Sequence, residues 1–168
     1  MEAVEIRVEG FFEDEMSTQF EQQMAALTTP CVCVLDIESY GGYVYVFEKM
    51  ANLITAKKEQ GFVFVTNVEN YAMSAGFMLF LMGDIKIVSD TAELMYHAPG
   101  IFVFDRLTAR EAKIIYETLA ASDELTDKIF LEHTNISTEM FALLKKNTTF
   151  FGREDLIHLG IMEDEYTF

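Results

Sequence analysis

Ser74, His97 and the pair Gly41-Gly42 are the residues of this chain whose types and order suit chemistry. A serine hydroxyl becomes a nucleophile when a base takes its proton, and histidine does that near neutral pH. The chain holds 3 His, and His97 follows Ser74 by 23 residues. Acyl transfer also needs donors for the oxyanion. The Gly42 N–H is one candidate, because glycine lets a backbone approach closely. The Ala75 N–H, beside the serine at a helix start, is the other. Each feature also has a plainer reading. Ser74 suits a helix N-cap, Gly41-Gly42 a tight turn between strand and helix, and His97 a half-buried turn position.

These residues need strand ends to hold them. Gly61-Phe62-Val63-Phe64-Val65-Thr66 reads as a buried strand before Ser74, and Gly76 to Met82 as a buried helix after it, closed at Gly83. Asn67 to Met73 reads as the connection between them. Cys31 to Ile37 is almost wholly apolar and predicts a central strand buried on both faces, followed by the glycine turn. Val44 to Glu59 carries apolar residues on one side of a helix, as does Glu13 to Leu27. Val4 to Gly10 alternates apolar and charged residues, as a half-buried strand near a sheet edge does. Asp84 to Val88 and Leu94 to His97 add short strands.

Leu107 to Thr134 continues a helical pattern long enough to project from a domain. Ser137 caps a further helix, Asn147 to Gly152 is extended, and Arg153 to Leu159 forms a last helix closed by Gly160 before an acidic tail. Strands alternating with helices predict an α/β fold with a largely parallel sheet, where sites form at the carboxyl ends of strands. The whole chain, residues 1–168, reads as one domain.

Composition narrows the classes of function. A net charge of −16 and the absence of any Lys/Arg cluster argue against a nucleic-acid partner. The longest apolar run, Ala75 to Met82, is far below the roughly 20 residues that span a bilayer. The acidic start at Met1-Glu2 does not read as a secretory signal. Cys31 and Cys33 suit buried thiols better than a local disulfide, and no further ligands accompany them for a metal. No metal or cofactor is expected, and a reducing, cytoplasmic setting fits.

The order of the motifs is more specific than any one of them. Ile37-Glu38-Ser39-Tyr40-Gly41-Gly42 resembles the I-x-S-P-G-G segment of the ClpP-type serine peptidases, with Tyr40 in place of proline. Ala72-Met73-Ser74-Ala75-Gly76 resembles their nucleophile segment. Gly83-Asp84-Ile85-Lys86-Ile87 and Met95-Tyr96-His97-Ala98-Pro99 resemble the G-D-x-I and M-x-I-H-x-P segments. Phe150 to Glu154 and Gly160 to Asp164 resemble the closing segment, so the likeness covers roughly residues 31–165.

That resemblance implies a ClpP/crotonase-like twisted sheet wrapped by helices. It implies a projecting handle helix at about 105–135 that joins two rings. It implies Ser74 as nucleophile, His97 as general base, and Gly42 and Ala75 as the oxyanion hole. The substrates implied are unfolded proteins or short peptides inside a homo-oligomeric chamber. The family's third residue, an Asp, falls at Asn147, or at Thr148 if the gap slides by one. Neither carries charge, so activity weaker than a full triad gives is expected. The chain begins almost directly at a strand, so partnership with a Clp-type ATPase is not implied. Tyr43, Tyr45, Phe77 and Phe80 either narrow the cleft or pack as core aromatics. Two other readings stay open: a catalytically inactive ring subunit, and, more weakly, acyl-CoA chemistry on the crotonase fold.

Overall fold

The computed structural model describes residues 3–164; Met1-Glu2 at the start and the last part of the acidic tail lie outside the described residues. The chain runs β1 (Ala3–Phe12), α1 (Asp14–Ala26), β2 (Val32–Gly42), α2 (Val44–Glu59), β3 (Val63–Val68), β4 (Tyr71–Met73) and α3 (Ala75–Leu81). It continues with β5 (Ile85–Val88), β6 (Glu93–Tyr96), α4 (Ala109–Glu132), α5 (Thr138–Leu144), β7 (Thr149–Phe151) and α6 (Arg153–His158). The fold is α/β with a mostly parallel sheet, as the alternating pattern predicts.

One long strand organises the sheet. β2 pairs with β1 along one edge, from Ala3↔Val32 to Phe12↔Gly42. Its other edge is shared. Val32 to Asp36 pairs with β3, while Ser39 pairs with Ala72 of β4. The sheet therefore forks, with β5 beyond β3 and β6 then β7 beyond β4. Only β7 is antiparallel to its neighbour, β6. The fork brings the ends of β2, β4 and β6 side by side, and the elements that follow them start there.

The core lies where apolar periodicity predicts it. Phe20 and Met24 of α1 and Val46, Phe47, Met50 and Ile54 of α2 are buried with Cys33, Leu35 and Ile37 of β2. β2 is not buried on both faces. Its Val32, Val34, Asp36 and Glu38 face is only half-buried, because two carboxylates need solvent or partners there. Asn67 Nδ2 donates to Asp36 Oδ1 at 2.8 Å. Phe77 and Phe80 are fully buried, so they pack the core and do not narrow a cleft. Phe77 stacks on Phe151 at 5.4 Å, and Phe130 of α4 meets Tyr96 edge-on at 5.0 Å and Phe141 at 4.6 Å.

α4 is anchored at one end only. Thr126, Ile129 and Phe130 are its buried residues, whereas Ile114 and Tyr116 are 54% and 72% exposed. A capping box starts it, with Glu111 N–H donating to Thr108 Oγ1 and Thr108 N–H to Glu111 Oε2. Lys58 and Lys86 close the C-termini of α3 and α4, donating to the carbonyls of Met82 at 2.6 Å and His133 at 3.1 Å. They line a cavity of about 510 Å³ that contains no candidate catalytic residue. Burial there, reinforced by Lys58, lowers the Lys86 pKa to about 8.

Candidate active site

Ser74 sits between β4 and α3 with φ 55° and ψ −119°, the only non-glycine positive φ among the described residues. An L residue held there costs roughly 1–3 kcal/mol, which the surroundings must offset. Ser74 N–H donates to Met95 O of β6 at 2.8 Å, and Met78 N–H donates to Ser74 O at 3.0 Å. Ser74 occupies the N-cap position of α3, but its side chain makes no capping hydrogen bond. A sharp strand-to-helix turn with a strained serine is the local geometry that lifts an Oγ out of a sheet.

The glycines of β2 press on this turn. They end the strand rather than forming a separate turn after it, and α2 starts two residues later. A Cβ at Gly41 (φ +94°) would lie 2.7 Å from Met73 O, 2.7 Å from Ser74 Cβ and 2.9 Å from Ala75 N. A Cβ at Gly42 (φ +153°) would lie 2.6–2.9 Å from the Phe12 backbone. Glycine is required at both on space and conformation. Buried Ser39 holds the approach, its hydroxyl donating to Gly10 O at 2.5 Å and accepting from Gly41 N–H at 3.0 Å. Gly10 (φ 99°) lies at the register shift between β1 and β2, so one side chain ties the irregularity to the glycines.

His97 follows β6 directly and is half-buried. Its Nδ1 lies 2.8 Å from Ala98 O. A carbonyl only accepts, so Nδ1 carries the proton and, in the neutral ring, Nε2 keeps its lone pair. A cavity of about 60 Å³ is lined by Gly42, Ser74, Ala75, Met78, His97 and Thr126, among others. The volume suits a carbonyl group or a water, not a side chain. Ala75 is the first residue of α3, so its N–H has no intrahelical acceptor.

Four residues of the sequence reading thus share one cavity wall: Gly42, Ser74, Ala75 and His97. Asn147 is not among them. It lies in the turn between α5 and β7, exposed, with its backbone N–H on Leu144 O at 3.2 Å; Thr148 is exposed beside it. Ser39, Ala98 and Thr126 are the positions that sequence reasoning did not assign. Ser39 stands inside the quoted glycine motif and could have been found there. The other two act through a backbone carbonyl and through a helix that returns from far along the chain.

Among the described residues no group of His, Cys, Asp or Glu could hold a metal ion. Cys31 and Cys33 are free thiols with sulfurs 3.9 Å apart. Burial, then the neighbouring Cys31, pushes the Cys33 pKa up to about 12, so it stays protonated. No helix among the described residues is long and apolar enough to cross a membrane.

The model of the family described as Clp protease matches residues 1–165. No curated protein matches the chain. The match spans nearly the whole sequence, and the chain belongs to the Clp protease family, whose members generally form self-assembled rings.

Proposed function

We propose that this Clp protease family chain is a serine endopeptidase that cleaves unfolded proteins or short peptides inside a homo-oligomeric chamber. The observation that carries the reading is the single cavity shared by Gly42, Ser74, Ala75 and His97. Ser74 Oγ attacks the scissile carbonyl while His97 Nε2 takes its proton. The N–H groups of Gly42 and Ala75 receive the oxyanion. His97 then gives the proton to the leaving amine, and water repeats the sequence on the acyl-enzyme. The Ala98 carbonyl holds the imidazole in the tautomer this needs. Asn147 is the third position by family order; to take part, its side chain would have to displace that carbonyl at Nδ1. The exposed outer part of α4 is the handle through which rings stack. A cytoplasmic setting agrees with the free thiols, and no cofactor enters the reaction.

A second reading, a catalytically weak or inactive ring subunit, is favoured by one observation: the uncharged, exposed Asn147. A fluorophosphonate probe separates the two. Wild-type protein should label stoichiometrically, with Ser74→Ala abolishing labelling and His97→Ala slowing peptide hydrolysis by about 10⁴-fold or more. An assembled, folded wild type that does not label establishes the inactive subunit instead.

A further inference from the structure

Aromatic rings crowd the surface around the candidate site when they could have been buried. Phe11, Tyr40, Tyr43 and Tyr45 are 53%, 66%, 53% and 45% exposed. They are clustered. Phe11 meets Tyr43 edge-on at 5.5 Å, Tyr43 stacks on Tyr45 at 5.5 Å, and Tyr40 stacks on Tyr71 at 4.3 Å. Both groups of rings border the cavity through the backbone. Tyr40 and Tyr43 flank Gly41-Gly42, and Tyr71 opens the strand that delivers Ser74. Exposed aromatic surface gathered in this way marks a binding surface.

The surroundings of the rings are acidic. The Tyr71 hydroxyl has a raised pKa through desolvation, then Tyr40 and Glu38, with Glu9 contributing least. The Tyr45 hydroxyl is raised through desolvation, then Asp14. A cleft of about 250 Å³ opens among Glu9, Asp36, Glu38 and Glu69, with Arg7 as its only basic residue. The chain itself shows what such a surface takes. The Lys49 ammonium lies 5.4 Å from the Tyr45 ring centroid and 3.4 Å from Asp14 Oδ1, between an aromatic face and a carboxylate. Tyr40, Tyr71 and Glu38 offer the same two elements, and among the described residues no cation of this chain sits on them. Asn70 Nδ2 donates to Glu38 Oε2 at 3.3 Å and Asn67 to Asp36, but neither is a cation, so an aliphatic segment would cover the rings and leave the carboxylates to lose water without an opposite charge. An acidic segment would be repelled.

Resting on the serine-endopeptidase reading, we propose that this aromatic row is a substrate-docking surface for cationic peptide segments, with Tyr40, Tyr71 and Glu38 as a seat for a Lys or Arg side chain.

The test separates binding from turnover. Fluorescence anisotropy on assembled Ser74→Ala protein compares unstructured peptides of equal length that differ only in carrying Arg, Leu or Glu at matched positions. The Arg peptide should bind about tenfold tighter than the Leu peptide and lose most of that advantage between about 50 mM and 0.5 M salt. Tyr40→Leu and Glu38→Gln should each reduce the advantage about threefold, while Tyr40→Phe, which keeps the ring face, preserves it. Glu21→Gln, exposed on α1, should leave it unchanged. Equal binding of the Leu peptide overturns the proposal. So does an Arg preference that survives Tyr40→Leu with Glu38→Gln, which would belong to the diffuse field of the −16 charge. If wild type fails to label while Ser74→Ala still selects the Arg peptide, the peptidase reading falls and the docking surface stands. Labelling without selection has the opposite meaning.

Discussion

Ser74 and His97, the proposed nucleophile and base, are held in different ways. Ser74 is over-determined. A strained backbone angle, two backbone hydrogen bonds, and Gly41, with no room for a Cβ, all meet at one turn. His97 is held at its ring by one carbonyl, that of its own neighbour. The chain after it, from Ile101 to Phe104, is exposed, with Phe102 and Phe104 at 87% and 94%. The contrast teaches where the protein has spent its packing. A strained serine survives only if its surroundings leave no alternative. An imidazole needs only its tautomer and direction fixed, which one hydrogen bond does. The Ser74 turn is held on all sides within one chain, whereas His97 borders the exposed Ile101 to Phe104 segment.

Two glycines, Gly41 against the Ser74 turn and Gly100 on the cavity wall beside His97, give the widest separation between these halves. Gly41→Ala places a Cβ against Met73 O and Ser74 Cβ at a φ that alanine disfavours. It should cost about 2–4 kcal/mol in denaturant unfolding. It should also slow fluorophosphonate labelling about 100-fold, since a small displacement of a nucleophile is that expensive. Gly100→Ala, on the His97 side, adds a Cβ that meets nothing within 4 Å. It should change stability by less than about 0.5 kcal/mol. If the two alanines behave alike, the difference in support is not real.

The next effect lies under the base. Lys145, at the end of α5, reaches Asp123 at 2.7 Å and Asp127 at 2.5 Å on α4, one turn apart on either side of Thr126. Burial works against the ammonium, but hydrogen bonds to both carboxylates outweigh it and raise the Lys145 pKa. Lys145→Met leaves two like charges facing each other, each with a buried oxygen that has no hydrogen-bond partner. It should cost roughly 1–2 kcal/mol, below the fully buried case because these side chains are 25–39% exposed. The sign with pH follows from the raised pKa. The lysine's stabilisation is fully present below its ordinary value of 10.5 and is lost as pH rises through the folded value above it. The gap between wild type and Lys145→Met in urea midpoints should therefore be widest near neutrality and narrow above about pH 10.5.

The sequence makes the nucleophile half more legible for the same reason. Its determinants are residue types: glycines, a serine, apolar runs. The helix read as Val44 to Glu59 is α2 to the residue. The parts that escaped are those fixed by distant pairing. β4 is three residues long, follows the polar Glu69-Asn70 pair, and exists because β6 and Ser39 pair with it. Read alone, it is a connection. Gly41-Gly42 reads as a turn because nothing local says that β1 follows β2 to its end. On the base side, Ala98 contributes a carbonyl, which every residue has, and Thr126 arrives on a helix whose buried face is only its last turns.

The smallest expected effect falls on the residue that family order makes most prominent. An Asp in place of Asn147 should raise peptide hydrolysis if that position supports the imidazolium, because a carboxylate stabilises the cation better than an amide. In this structure the Asn147 side chain is exposed and His97 Nδ1 is already bonded to Ala98 O. To help, the new carboxylate would have to draw the imidazole away from that carbonyl. It would also have to leave water for a site in a chain of net charge −16. We therefore expect Asn147→Asp to change kcat/KM by less than about threefold, or under about 0.7 kcal/mol in transition-state free energy. Its pH–rate profile should overlay that of wild type. A gain of tenfold or more with a shifted profile would mean that the turn between α5 and β7 moves onto His97, and that the base half, too, is completed by a side chain.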